Sequence, residues 1–221
     1  MCIRDSQQVV QSFCGPGSYL ERLRNGPRPG ESREDFYCDV LSRFDQSRLL
    51  TPHRRGALGV SGLNRLLIAE MVERGAIGGP GAGRFWSGRP VMVTRNDYEY
   101  GLMNGDIGIC IDHSGAQGQR RVVFPGKHVG EVRWFTPAQL PPHETVFAMT
   151  IHKSQGSEFE TVFLVLDRDP SPLYTRELVY TALTRAKERI VFCGSAKVLG
   201  EALAERIQRA SGLSGLLWGV G

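Results

Sequence analysis

Long apolar runs are missing from this sequence. Its hydrophobic stretches fall far short of the ~20 residues that cross a bilayer as a helix. Paired cysteines are missing too. Cysteines stand at 2, 14, 38, 110 and 193, an odd number with no C-x-x-C spacing. That argues against a disulfide framework and a structural zinc site, and it fits a reducing, cytoplasmic setting. The opening residues Met1-Cys2-Ile3-Arg4-Asp5-Ser6 contain no apolar core, which excludes a signal peptide there. They lead into no strand either, so the expectation is a protein that begins upstream, with these first residues arbitrary. The phosphate-gripping pattern G-x-x-x-x-G-K-[ST] is also absent. Its nearest approach, Gly126-Lys127, has His128 where a hydroxyl is needed and Arg121 where the first glycine is needed. The five histidines are scattered and unpaired with cysteine, so no metal site is expected. His152 and Ser154 lie close, but no acid is placed to complete a nucleophilic triad.

What is present is enough for an ordinary folded protein. The chain has 221 residues, 41% hydrophobic and 23% charged, which allows one large domain or two small ones. Net charge is +4, a weak pointer to a polyanionic partner.

Along the chain the patterning changes twice. Residues 1–46 read as irregular to helical, broken by Gly15-Pro16-Gly17 and by the run from Asn25 to Gly30. Phe36, Val40, Leu41 and Phe44 have helical spacing. Arg48–Thr51 reads as a short buried strand. Ser61 then makes an N-cap for a helix to about Arg74, with Leu63, Leu66, Leu67 and Met71 on one face. Residues 75–88 are glycine-rich and read as a linker. Residues 89–144 hold only short strand-like runs, Pro90–Arg95, Asp106–Asp112, Gln119–Phe124 and Glu131–Phe135, with a tight-turn signal at Asn104-Gly105. Such a series predicts a small β-barrel. After it, strands at Val146–Met149, Thr161–Leu166 and Arg189–Cys193 alternate with helices over 175–187 and 196–209. Strand–helix alternation predicts an α/β layer, with the barrel inserted in it.

Two segments carry chemistry. Thr150-Ile151-His152-Lys153-Ser154-Gln155-Gly156-Ser157-Glu158-Phe159 joins two strands. Such a loop is expected at the C-terminal edge of a parallel sheet, where ligands bind. Its hydroxyls, Lys153 and a glycine permitting backbone approach suit a phosphodiester chain; the plainer alternative is a polar loop with a helix cap. In Glu177–Lys187, Thr181 and Arg185 are four apart and share a helix face. A cation is favourable near a helix C-terminus in any protein, so spacing alone favours a surface arginine. Val162–Asp167 mimics a Walker B strand but reads as the ordinary strand after the first segment. Trp86, Trp134 and Trp218 read as packing residues; Trp86, between Arg84 and Arg89, is the one candidate for base stacking. His53 and the Arg54-Arg55 pair have no assignable role.

Together these segments, T-I-H-K-S-Q-G-S-E-F and R-E-L-V-Y-T-A-L-T-R-A-K, resemble motifs V and VI of superfamily 1 helicases. The RecD group is the best match. Gly88–Asp97, Leu102–Gly108, Arg54–Val60 with Leu63-Asn64, and the closing Arg209–Leu213 are also similar to that group. The resemblance spans roughly 36–218 and leaves the first 35 residues poorly matched. It implies an α/β fold: a second RecA-like (P-loop NTPase-type) helicase domain with an inserted SH3-like β-barrel, divided 1–83, 84–144 and 145–221.

It also implies roles. Arg185 is expected to be the arginine finger, with Gly156 and Glu158 at the nucleotide edge. Thr150, His152, Lys153 and Asn96 are expected to contact single-stranded DNA, with Gln155 and Thr181 coupling the two sites. ATP with Mg is the implied cofactor, held mainly by the other motor domain. The implied activity is ATP-dependent 5′–3′ DNA translocation in double-strand break repair, within an exodeoxyribonuclease V complex with RecB- and RecC-type subunits and no membrane. On this reading the chain alone turns over no ATP. The alternatives are the motor of a conjugative relaxase, disfavoured by the short tail, or of a phage helicase, and a non-enzymatic adaptor module, which would leave Arg185 and Glu158 unexplained.

Overall fold

The computed structural model describes residues 3–78, 84–112, 120–167 and 169–206. The chain order is α1 (Ile3–Cys14), α2 (Tyr19–Asn25), α3 (Arg33–Asp45), β1 (Ser47–Thr51), α4 (Val60–Glu73), β2 (Pro90–Val93), β3 (Ile107–Asp112), β4 (Arg120–Pro125), β5 (Val132–Phe135), β6 (His143–Thr145), β7 (Ala148–Thr150), β8 (Phe159–Val165), α5 (Arg176–Leu183), β9 (Ala186–Cys193) and α6 (Ala196–Ala204). They form two sheets: a parallel one in the order β7-β1-β8-β9, and an antiparallel one in the order β5-β4-β3-β2-β6. The antiparallel sheet is inserted in sequence between α4 and β7.

Residues 3–45, within the stretch that reads from the sequence as irregular to helical, are mostly helix. Ser18 and Ser32 cap α2 and α3 by accepting from Glu21 N and Asp35 N, satisfying donors that the first helical turn leaves unpaired. The predicted α3 face holds: Phe36, Val40, Leu41 and Phe44 are all buried. Phe44 packs edge-on to Tyr19, and Phe13 of α1 packs edge-on to Phe147. The helices thus supply the layer against which β1 and β7 lie.

β1 is central and buried along its whole length. In α4 the cap is Gly59 rather than Ser61, which stands one residue inside the helix and donates its hydroxyl to Arg54 O. Leu63, Leu67 and Met71 are buried at intervals of four, but Leu66 is 47% exposed, because its position rotates off that stripe. Asn64 on α4 serves β7, an edge strand of the parallel sheet. Its side chain accepts from Phe147 N and Ala148 N and donates to Ala148 O. Free backbone groups of an edge strand are thereby satisfied inside the protein.

The antiparallel sheet is buried on both faces. Met92, Ile109, Ile111 and Val123 join the main core, while Val91, Val93, Cys110, Val122 and Phe124 form a second cluster with Leu102 and Phe135. This is the period-two alternation of strands, with each face given its own apolar partner. The sequence missed β6, whose three residues pair with β2. Asn104-Gly105 does turn, with Asp106 N donating to Met103 O and Gly105 at φ 101°. However, it closes a longer β2–β3 connection that contains an Asp97–Leu102 bridge, not a two-residue hairpin.

Helix α5 ends at Leu183, short of the 187 expected, because Ala186 already pairs with Phe159 as the first residue of β9. Its buried residues are Val179 and Ala182, while Leu183 is 42% exposed. Trp86 is buried and stacked on Phe147, and Trp134 meets Tyr37 edge-on, so both pack rather than present a free face. Trp218, the segment Arg209–Leu213 and the end of the expected last helix lie outside the described residues. No helix among the described residues is long and apolar enough to cross a membrane.

Candidate nucleotide and nucleic-acid edges

The parallel register fixes where the chemistry-bearing residues sit. Thr150, the last residue of β7, is level with Thr51, the last of β1. Thr161 of β8 is level with Ser47, the first of β1. At 3.3 Å per residue the strand heights differ by about 13 Å. Residues 151–158 therefore do not stay at the C-terminal edge, where the sequence placed them. They start there and descend to the N-terminal edge, where β8 begins.

The upper end of this segment is a tight turn. Ile151 N donates to Thr51 O, and Lys153 N donates to Thr150 Oγ1. Ser154 is fully buried and donates its hydroxyl to Ile151 O at 2.7 Å. This locks a single 3-10 turn over His152–Ser154 and leaves His152 exposed. The Lys153 ammonium is engaged, 2.9 Å from Glu144 of β6. Glu144, which sequence reasoning did not single out, thus ties the segment to the inserted sheet.

The lower end holds Arg185. Ser157 N donates to Ser154 O, Gly156 sits at φ 85°, and Phe159 N donates to Arg185 O. Arg185 lies just past α5, yet its Nε still donates to Thr181 O, while its two Nη atoms donate to Ser157 O and Thr184 Oγ1. A guanidinium has more N–H donors than these, so an anion can still be bound. Glu158 is exposed, its carboxylate 4.0 Å from the Lys187 ammonium.

Between the two ends, His152 and Gln155 share a cleft of about 420 Å³ with Thr181, Glu177 and Leu178 of α5. The structure therefore brings Gln155 and Thr181 to one cleft, and Arg185 to the lower end of the same segment. Asn96 is placed elsewhere, exposed on the β2–β3 connection, where its Oδ1 accepts from Asn104 N. Pro52, which directly follows the strand that the sequence did predict, also lines the cleft. Among the described residues no group of three or more His, Cys, Asp or Glu could hold a metal ion.

The fold is an α/β one with a parallel sheet, and its residues 145–193 match the UvrD-like helicase C-terminal domain. The RecBCD enzyme subunit RecD of Mycolicibacterium smegmatis is 40% identical over 192 residues, 87% of this chain and 32% of that protein. RecD of Haemophilus influenzae is 37% identical over 216 residues, 97% of this chain and 32% of that protein. The ATP-dependent RecD2 DNA helicase of Deinococcus radiodurans is 38% identical over 172 residues, 77% of this chain and 23% of that protein. Among solved structures, Bacteroides Pif1 helicase in complex with ADP-AlF3 and ssDNA matches at 15% identity and TM-score 0.44, covering 85% of this chain and 48% of that one. The chain corresponds to a C-terminal portion of a RecD-like superfamily 1 helicase. It spans about a third of the length of the RecD relatives it matches.

Proposed function

We propose that the chain is the second RecA-like domain of a RecD-type motor, driving ATP-dependent 5′–3′ translocation on single-stranded DNA. In this reading residues 1–83 and 145–221 form the motor domain, and 84–144 are an inserted SH3-like barrel. Arg185 is the finger that meets the γ-phosphate, with Gly156 and Glu158 at the same edge. Thr150, His152, Lys153 and Asn96 meet the DNA, and Gln155 and Thr181 couple the two. ATP with Mg is gripped mainly by the other motor domain; Arg185, with N–H donors to spare, suits the phosphate that domain presents. The setting is cytoplasmic, in double-strand break repair, with RecB- and RecC-type partner subunits.

The observation that carries this reading is the course of residues 151–158. One short segment runs from the C-terminal edge, where Thr150 and His152 stand, to the N-terminal edge, where Arg185 donates to Ser157 O. A shift of Arg185 on meeting phosphate pulls on Ser157, and the pull reaches the 3-10 turn through Ser154, which accepts from Ser157 N.

Residues 1–221 alone are expected to bind a single-stranded oligonucleotide and release no phosphate from ATP. In a protein carrying both motor domains, Arg185→Ala is expected to lower DNA-stimulated turnover by ~10³-fold or more while DNA affinity holds. Phosphate release and oligonucleotide anisotropy measure the two. DNA-stimulated turnover by residues 1–221, or equal loss of both properties in Arg185→Ala, would refute the assignment.

A further inference from the structure

The loop after β1 carries two arginines that the roles above leave unused. Residues 52–59 join β1 to α4, beside the turn that follows β7. Thr51 and Thr150 are register partners, so the two connections leave the sheet about 5 Å apart. The loop is built to hold its shape. Val60 N donates to His53 O, Ser61 N to Arg54 O and Gly59 N to Gly56 O, and Thr51 donates its hydroxyl to Leu58 O at 2.8 Å. The glycines at 59 and 62 allow the close approach: a Cβ at either would lie 2.2 Å from a loop carbonyl oxygen, Arg55 O or Ala57 O. All this order holds the loop's backbone. The Arg54 and Arg55 side chains are exposed, and no ion pair among the described residues involves them.

The other basic groups of this rim are differently placed. His53 Nε2 is 3.0 Å from Tyr174 Oη, and Lys153 is paired with Glu144. A rigid loop that projects two unneutralised guanidiniums beside exposed His152 offers the donors that phosphate oxygens accept, in a fork that can bind two oxygens at once. We propose that Arg54 and Arg55 hold successive phosphates of the single strand as it crosses the C-terminal rim between the β1 and β7 connections. This rests on the translocating-motor reading and adds to it the residues that set the strength of backbone binding.

The test uses residues 1–221 and a fluorescent oligo-dT, with affinity followed against salt. Each single-strand phosphate that the protein ceases to neutralise lowers the log–log slope by about 0.7. Arg54→Gln/Arg55→Gln is expected to lower it by about 1.4 and to weaken binding about tenfold at ~0.1 M salt. Arg54→Lys/Arg55→Lys, which keeps both charges, is expected to retain most of the slope. Arg33→Gln, on the exposed first turn of α3, is expected to change nothing. An unchanged slope in the Gln pair overturns the proposal and leaves the motor reading standing. A Lys pair whose slope falls as far as that of the Gln pair also overturns it, since the effect would then not be one of charge. A wild-type chain that binds no oligo-dT at any salt sinks the motor reading itself.

Discussion

The two edges of the parallel sheet hold their basic side chains in opposite ways. At the N-terminal edge Arg185 is fixed by three acceptors, two of them backbone carbonyls: Thr181 O of the helix before it and Ser157 O of the neighbouring segment. At the C-terminal rim Arg54 and Arg55 are exposed, and the order resides in the backbone beneath them. The first arrangement suits a group that must meet one atom in one orientation, because orientation set in advance costs nothing at the moment of reaction. The second suits a charge that must follow a flexible polyanion, where side-chain freedom is an advantage and salt sets the strength. The difference is one of preorganisation, and it can be attacked from either edge.

The largest expected effect on stability comes from Arg48, which underlies the N-terminal edge alone. It is fully buried, donates to Val146 O and to Asp45, and lies over the rings of Phe44 and Phe159. Burial pushes its guanidinium below the usual value, with Asp45 opposing. Arg48→Ala removes the stacking and leaves a cavity, at a cost of about 3 kcal/mol, or roughly a hundredfold in the folding equilibrium. Arg48→Met refills most of that volume. The Asp45 carboxylate left behind is 57% exposed and can hydrate, so about 1 kcal/mol is expected. In hydrogen exchange, the Phe159 amide bonded to Arg185 O is expected to lose protection in either variant. The Ile151 amide bonded to Thr51 O is expected to keep more of it. Equal loss at both would show that the edges are not mechanically distinct.

A smaller effect is expected at Gly156. A Cβ there meets nothing within 4 Å, but the backbone is at φ 85°, which L residues adopt only with strain. Gly156→Ala should cost about 1–2 kcal/mol, and that cost acts on the stretch that gives Arg185 its Ser157 acceptor. In a protein with both motor domains, turnover is expected to fall about tenfold with the salt slope of DNA binding unchanged. A changed slope with turnover intact would reverse the assignment of the two edges.

Part of this architecture is legible in the sequence and part is not. Alternation of strand and helix and the continuous apolar run at Thr161–Leu166 are legible because burial on both faces leaves an apolar signature. The α3 face is legible for a similar reason. Of the helices before residue 33, α2 has only 7 residues and no period to read, whereas α1, with 12 residues and Val9, Val10 and Phe13 buried on one face, carries a helical period that goes unread. Residue types draw attention to Thr150–Glu158, and the helicase resemblance to Arg185, but neither reveals the descent from one edge to the other. That depends on the register of β8 against β1, a non-local pairing with no local signal. Glu144 is invisible for the same reason: its role exists only because β6, too short to be predicted, brings it against Lys153.

The smallest expected effect turns on that ion pair. With side chains 30% and 34% exposed, the Lys153–Glu144 pair is worth at most about 1 kcal/mol, and a phosphate can compete for the ammonium. In the free protein Lys153 thus belongs to neither style of placement: it is held, but by a partner that, on the proposed reading, DNA would displace. Glu144→Gln removes the competing charge and keeps the side-chain volume. Affinity for oligo-dT is expected to rise about threefold at low salt, the gain fading as salt screens it. Lys153→Gln should lower the slope by about 0.7, and the double variant should behave like Lys153→Gln alone. If Glu144→Gln instead weakens binding, the pair positions Lys153 toward the strand, and the rim is more preorganised than its free arginines suggest.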